Sequence, residues 1–211
     1  MGRDMLLRTL AGLSTSLFVG LLASVVTTCI SLVLAVLAAF GGRAADAAVS
    51  WLTDLVMGVP HIVLLLLISY ALGRGFWGVT IGVALTHWPS LTRLLRAELL
   101  QAKREPYLEA SAALGVSWPR VVVRHLIPAI APQLIVGAVL AFPHAILHEA
   151  SITFLGFGLS PDQPAIGVIL SESMGYLTAV LPGAALVACV ALFDMLGSSL
   201  RRLIDARTSQ E

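Results

Sequence analysis

Long apolar runs separated by shorter polar connections dominate the 211-residue chain. An α-helix needs about 20 apolar residues to cross a hydrocarbon core about 30 Å thick. We predict a membrane-spanning helix in each of five runs: Leu17–Phe40, Val49–Leu72, Phe76–Leu91, Leu126–Leu147 and Val180–Leu200. The first run exceeds the roughly 7–15 apolar residues of a cleaved signal peptide, so we interpret it as a retained span.

The composition supports a membrane location. Hydrophobic residues make up 58% of the chain and charged residues only 12%, whereas a soluble domain has about 25% charged residues. So few charges cannot cover a water-exposed surface, and we predict an all-α integral membrane protein with one transmembrane domain. Cys29 and Cys189 lie far apart in apolar runs, which indicates neither a disulfide framework nor a zinc motif.

The positions of the positive charges predict the orientation. If the chain begins outside and alternates, only Arg3, Arg8 and Arg74 lie on the outer side. The other ten of the thirteen Lys and Arg residues then lie inside: Arg43, Arg93, Arg96, Lys103, Arg104, Arg120, Arg124, Arg201, Arg202 and Arg207. Positive charge accumulates on the cytoplasmic side, so we predict an outer N-terminus and a cytoplasmic C-terminus in the plasma (inner) membrane.

Two connections are longer than a turn requires. The outer one, 150–178, is rich in Gly and Pro, and we expect it to dip along the mouth of a cavity. The inner one, about 93–125, includes the start of the stretch EPYLEASAALGVSWPRVVVRHLIPAIAP at 105–132. There Pro106 and Gly115 suit the first turn and the end of a short helix, and Pro119 can begin a second. This pair suits docking of another protein or an amphipathic segment on the lipid surface, and spacing alone leaves both open.

Three motifs resemble those of a known family. The segment EASAALG at 109–115, followed by Ile127-Pro128, resembles the EAA motif of ABC-importer permeases, with Ser111 departing from the usual Ala. GRDMLLRTLAGLSTSL near the start and SITFLGFGLSP at 151–161 resemble segments of the family's peptide and nickel branch. The motifs occur in the family's order and cover essentially the whole chain.

The resemblance implies a division of labour. The chain would pair with a second homologous permease, bind two cytoplasmic ATPases, and receive solute from an extracytoplasmic binding protein. The sequence contains no Gly-x-x-x-x-Gly-Lys-Ser/Thr phosphate loop, so ATP and Mg²⁺ would be bound by the partners and not by this chain. Surrounding lipid completes the expected partners, and we expect no nucleic acid. The residues assigned to ATPase coupling are Tyr107, Glu109, Ala110, Ala113, Gly115 and Pro119.

The resemblance also sets expectations for the ends of the chain. Members of this branch usually carry a further span before their Gly-Arg-Asp segment, which here is Gly2-Arg3-Asp4. A truncated start and a short variant both remain open. We divide the chain into an extracytoplasmic entry segment at 1–16, a permease domain at 17–205 and a cytoplasmic tail at 206–211.

Ionisable residues within spans are functional candidates because they are costly in lipid. His144 and His148 are four apart, so a helix presents both on one face, and Glu149 adjoins them. Neutral imidazoles suit Ni, Zn and Cu, so we predict that these three residues line a substrate path and that the histidines contact a metal in transit. Hydrogen bonding across a subunit interface is the alternative. The remaining ionisable residues receive structural interpretations: a bend at His61 and interfacial positions for Asp54 and His87. For Asp194 we expect pairing with a neighbouring helix or with Arg201 or Arg202.

Several functions therefore remain to be separated. The favoured function is the permease of an ATP-driven importer, not itself an enzyme, whose solute is nickel, a metal chelate or a peptide. An intramembrane metalloprotease would use paired histidines, but His-Glu-x-x-His is absent from the sequence. A passive channel is the other alternative, and it would not need a docking segment.

Overall fold

The computed structural model describes residues 4–106, 111 and 116–208, and these residues form helices without any strand. A π-helical turn at Val122–Leu126 leads into the helix that begins at Ile127, and a 3-10 turn at Leu177–Ala179 leads into the helix that begins at Val180. The predicted all-α fold is confirmed. The helices are α1 (Met5–Phe40), α2 (Gly42–Gly58), α3 (His61–Ala71), α4 (Phe76–Ala102), α5 (Trp118–Val121), α6 (Ile127–Phe154), α7 (Ile166–Glu172) and α8 (Val180–Thr208).

Among the described residues, three helical stretches are long and apolar enough to cross a membrane. They are Met5–Phe40, Val122–Phe154 and Leu177–Ile204, which contain the first, fourth and fifth predicted spans. Helices α2 and α3 make a fourth candidate only if they count as one span, because their axes meet at 96°. The predicted span Val49–Leu72 therefore consists of two helices, which meet at the bend expected at His61.

The break between α2 and α3 follows from proline chemistry. Pro60 offers no amide hydrogen, and its ring disfavours a helical conformation in the residue before it. Val59 accordingly adopts an extended conformation, with φ −92° and ψ 135°, at the end of α2. The chain restarts as α3 at His61, in a new direction.

Helix α4 contains the predicted span Phe76–Leu91 and continues to Ala102, but it is not among the stretches that are long and apolar enough to cross a membrane. It packs against α1, α3 and α6, so its threonines contact protein rather than lipid. Thr80, Thr86 and Thr92 are buried there. Pro89 leaves the carbonyl group of Leu85 without its helical donor, and the indole N–H of Trp88 donates to that oxygen at 2.9 Å. Burial among helices thus explains why the span is polar.

Helix α1 is the centre of the packing, against α4 on one side and α6 on another. Small residues recur along its buried face, including Gly12, Gly20 and Ala23, and allow close helix approach. The hydroxyl groups of Thr27 and Ser31 donate to carbonyl oxygens of α4 at 3.3 and 3.1 Å. Such interhelical hydrogen bonds satisfy polar groups away from water.

The connection between α6 and α8 folds back onto the bundle. Its helix α7 buries Ile166 and Ile169 against α6 and α1. The amide of Gly75, in the turn before α4, donates to the carbonyl oxygen of Gly158 at 3.0 Å. Arg8 of α1 donates to the Glu172 carboxylate of α7 at 2.5 Å. These contacts fix the segment on the same end of the bundle as the start of α1.

Candidate functional site

An open-sided cavity of about 740 Å³ lies where the break between α2 and α3 faces α4 and α6. Each element contributes to the wall: Pro60 and His61 at the break, Ser90 and Leu94 on α4, and a segment of α6. The α6 contribution consists of Gly137, Leu140, Ala141, His144 and His148. Apolar and uncharged polar side chains make up the described lining, apart from the histidines. Such a wall suits a pathway that holds a solute weakly.

Three histidines from three helices meet at one end of this cavity. The ring centroids of His61 and His87 lie 4.5 Å apart, those of His61 and His148 also 4.5 Å, and those of His87 and His148 4.7 Å. One nitrogen atom from each ring lies within 4.8 Å of one nitrogen from each of the other two. We call His61, His87 and His148 the histidine cluster.

Backbone carbonyl groups orient two of these rings. Nδ1 of His87 lies 2.8 Å from the Val83 oxygen, and Nδ1 of His148 lies 2.7 Å from the His144 oxygen. A carbonyl oxygen can only accept, so each Nδ1 carries the hydrogen and donates it. In the neutral rings this leaves both Nε2 atoms with a free lone pair. Nε2 of His87 lies 3.3 Å from Nδ1 of His148, which places the two rings in direct contact.

Local sequence explains why the third ring arrives at the same place. His61 is the first residue of α3, directly after the break at Pro60, and the change of helix direction places it against α4 and α6. Its Nε2 atom is buried and has no hydrogen-bond partner. A buried polar atom without a partner is costly and is uncommon in folded proteins. This nitrogen atom is thus available to a ligand.

Two of the sequence-based site assignments need correction. Glu149 does not line the cavity: it is fully buried, and the Thr153 hydroxyl donates to its carboxylate at 2.9 Å. Successive helical residues are about 100° apart around the axis, so Glu149 points away from the face of His148. His144 does line the cavity, but its ring is outside the histidine cluster. The predicted pair thus contributes one ring to the cluster.

The other two members of the cluster were interpreted structurally from the sequence. His61 does lie at a bend, but it also faces the cavity. The ring of His87 packs against the other two histidines and so faces protein, while its interfacial position stays a prediction. The signal that could have found them is that ionisable residues within spans usually face the interior of a bundle. Asp54, by contrast, forms an ion pair with Arg93, as a structural interpretation requires.

Most of the predicted coupling residues cannot be placed. Tyr107, Glu109, Ala110, Ala113 and Gly115 lie outside the described residues. The backbone of Pro119 lies in α5, which begins one residue earlier, at Trp118. The second short helix predicted from Pro119 is therefore present, and the docking assignment itself stays a prediction.

Comparison with known proteins places these features in a family. Residues 31–210 match the family described as binding-protein-dependent transport system inner membrane component. A protein of Brucella ovis named as a peptide permease is 35% identical over 215 residues, covering 98% of this chain and 70% of that protein. The oligopeptide transport system permease protein OppC of Bacillus subtilis is 27% identical over 212 residues, with the same coverage of 98% and 70%.

The fold agrees with a solved transporter. An inward-facing structure of the MetNI methionine ABC transporter matches with a TM-score of 0.78, over 97% of this chain and 99% of that one. The sequence identity is 19%, so this likeness concerns the fold alone. The match over most of the chain and the identity to the Brucella protein establish the classification. This chain belongs to the family of binding-protein-dependent transport system inner membrane components, and it is a permease component of an ABC importer.

Proposed function

We propose that this permease forms half of a membrane passage for short peptides and that the cavity beside the histidine cluster is part of that passage. The observation that carries the proposal is the cavity itself, about 740 Å³ in volume, built by the broken α2–α3 pair, α4 and α6. Its volume is within the range of about 300–1,000 Å³ for small-molecule sites. The relatives named as peptide permeases support the solute class.

The energy for transport would come from partner subunits. We propose that two cytoplasmic ATPases dock on the segment around 105–119, and that their closure rocks the helices about the cavity. A second permease would complete the passage, and an extracytoplasmic binding protein would deliver the peptide. The sequence supports this division, since it lacks a phosphate-binding loop.

The exposed surface of α8 supports the pairing with lipid and a second permease. Within Leu177–Ile204, only 11% of an apolar stretch of 18 residues is buried against the rest of the chain. Large apolar side chains such as Val187, Leu192 and Met195 are more than half exposed. Apolar surface of this extent needs lipid or another apolar protein as its neighbour.

We further propose that the N-terminus is outside and the C-terminus cytoplasmic. The warrant is the ten-to-three distribution of Lys and Arg between the two sides. With this orientation, the docking segment faces the ATPases, and the packed segment that contains α7 faces the binding protein.

A metal ion or metal chelate is the second candidate solute. The specific observation that favours it is the histidine cluster, because three neutral imidazoles form a ligand set for Ni²⁺ or Zn²⁺ and peptides do not require one. Peptide remains the first candidate because the relatives carry that name.

Uptake into proteoliposomes that contain the complete transporter tests both candidates. We expect ATP-dependent uptake of labelled di- and tripeptides, with Ser90→Trp reducing the rate at least tenfold because an indole would fill the cavity at α4. Leu85→Trp is the matched control, since Leu85 is on the same helix, is 42% exposed and does not line the cavity. Equal loss in both variants, or uptake without ATP, would contradict the proposal. ATP-dependent uptake of ⁶³Ni²⁺ but not of peptide would replace peptide with metal.

A further inference from the structure

The histidine cluster has the composition and arrangement of a transition-metal site. Its three ligands come from α3, α4 and α6, and successive histidines are 26 and 61 positions apart in sequence. Histidine is the commonest protein ligand for Zn²⁺, Ni²⁺ and Cu²⁺ when these ions are bound through nitrogen. Three unrelated segments thus bring the same ligand type to one point.

The distances allow coordination after small side-chain movements. In a tetrahedral site with metal–nitrogen bonds of about 2.0–2.1 Å, neighbouring ligand nitrogens lie about 3.3 Å apart. One nitrogen atom of each ring lies within 4.8 Å of one nitrogen of each other ring, and the rings of His87 and His148 are in direct contact. Rotation of the rings about their side-chain torsions can bring the three nitrogens onto one ion.

The surroundings of the rings match those of metal ligands. A metal-bound histidine usually donates its second ring nitrogen to a carbonyl or carboxylate group, which fixes the ring and increases its basicity. His87 and His148 each make this hydrogen bond, to Val83 and His144, and so leave Nε2 as the coordinating atom. His61 supplies a buried Nε2 atom without a partner. Coordination would satisfy that atom.

We propose that His61, His87 and His148 form a binding site for one divalent transition-metal ion at the wall of the cavity. Three protein ligands leave at least one coordination position open, as in zinc sites that bind water or a substrate. All three histidines line the cavity, so an amine or carboxylate group of a solute in the cavity could occupy that position. Metal binding at this site does not depend on which solute the transporter carries, so the proposal goes beyond the proposed function.

Metal titration of the full-length permease, purified with its partner subunits in lipid nanodiscs, tests the site. Co²⁺ is the probe because its visible absorption reports coordination, and Zn²⁺ should displace it. We expect one Co²⁺ per permease chain, with affinity reduced at least tenfold in His87→Ala and in His61→Ala. His125→Ala is the control, since His125 lies in the π-helical turn and outside the cluster. Its affinity should match that of the wild type.

A fourth variant separates the cluster from the pair that the sequence suggested. His144→Ala should change Co²⁺ affinity less than threefold, because the His144 ring is outside the cluster. No stoichiometric Co²⁺ binding by the wild type would overturn the proposal, as would losses in His125→Ala or His144→Ala equal to that in His87→Ala. Size-exclusion profiles and thermal unfolding check that the variants fold. The Co²⁺ stoichiometry of the wild type tests the proposal even if a variant does not fold. Peptide uptake is measured separately. A loss of peptide transport with normal Co²⁺ binding would contradict the proposed function alone, and a loss of Co²⁺ binding with normal transport would contradict the metal site alone.

Discussion

Arg96 of α4 and Asp46 of α2 form a two-armed ion pair, in which Nε and Nη2 of the guanidinium donate to the two carboxylate oxygens at 2.5 and 2.6 Å. Both side chains are about one-third exposed. The contact joins the first arm of the broken pair to the helix that carries His87. It therefore fixes one wall of the cavity relative to another.

We predict that Asp46→Asn lowers the stability of the purified permease by about 1 kcal/mol, because a bidentate charge-assisted contact would be lost from a partly buried position. Asp54→Asn is the control. Its partner Arg93 lies on the same α4, but these side chains are 66% and 52% exposed, so we expect a loss below about 0.5 kcal/mol. Unfolding in mild detergent measures both. Equal losses would show that the paired geometry of Asp46 contributes nothing special.

The packing of α7 gives a second prediction, at Gly167. A Cβ atom there would lie 2.7 Å from Cβ of Thr153 and 2.9 Å from the backbone nitrogen of Phe154. Backbone atoms of α6 cannot move aside like the end of a side chain, so Gly167→Ala should destabilise the protein by about 1–3 kcal/mol.

Gly183→Ala is the matched control for that substitution. A Cβ atom at Gly183 would meet only the end of the Leu170 side chain, at 3.8 Å. Alanine also favours a helix over glycine, so thermal stability should stay unchanged or increase slightly. A Gly167→Ala protein as stable as Gly183→Ala would show that α7 is not held closely against α6.

The sequence predicts the helical class well, because a long apolar run such as Leu17–Phe40 is stable in lipid and its backbone hydrogen bonds can be satisfied there within one helix. It does not predict the 96° angle at Pro60, because a proline permits a kink, a break or a continuous bent helix, and packing selects among them. The π-helical turn before α6 likewise has no distinct sequence signal. Helix α4 extends beyond the predicted span Phe76–Leu91, and its end is hard to predict because polar residues that pack inside a bundle resemble residues at the end of a span.

The candidate site divides in the same way. The spacing of His144 and His148 was visible because a helix repeats locally, and it placed both on the cavity wall. The meeting of His148 with His61 and His87 depends on how three helices pack, which no local pattern encodes. Glu149 is next to His148 in sequence, but the rotation of about 100° per helical residue turns it away from the cavity.

Orientation in the membrane is the third prediction. In a variant whose Cys29 and Cys189 are replaced by alanine, Ser171→Cys should react with an impermeant thiol reagent in intact cells. Ala206→Cys should react only after the membrane is opened, because the positive charges near the end of α8 favour the cytoplasm. Ser171 is suitable because it is exposed in α7. Labelling of position 206 from outside would reverse the proposed topology.

The coupling segment gives the last prediction. Gly115→Trp should reduce co-purification of the ATPase subunits at least tenfold, because a bulky side chain would hold the short predicted helix away from a groove in its partner. Glu109→Lys should act similarly by reversing the charge presented to that groove. Both variants should still insert and unfold at the wild-type temperature, since neither residue lies in a predicted span. Asp162→Lys makes the same charge reversal in the segment between α6 and α8, where Asp162 is exposed, and it should leave ATPase binding unchanged. If Gly115→Trp and Glu109→Lys retain their ATPases and solute-stimulated ATP hydrolysis, the segment does not dock the ATPases, and its amphipathic character is explained by lipid instead.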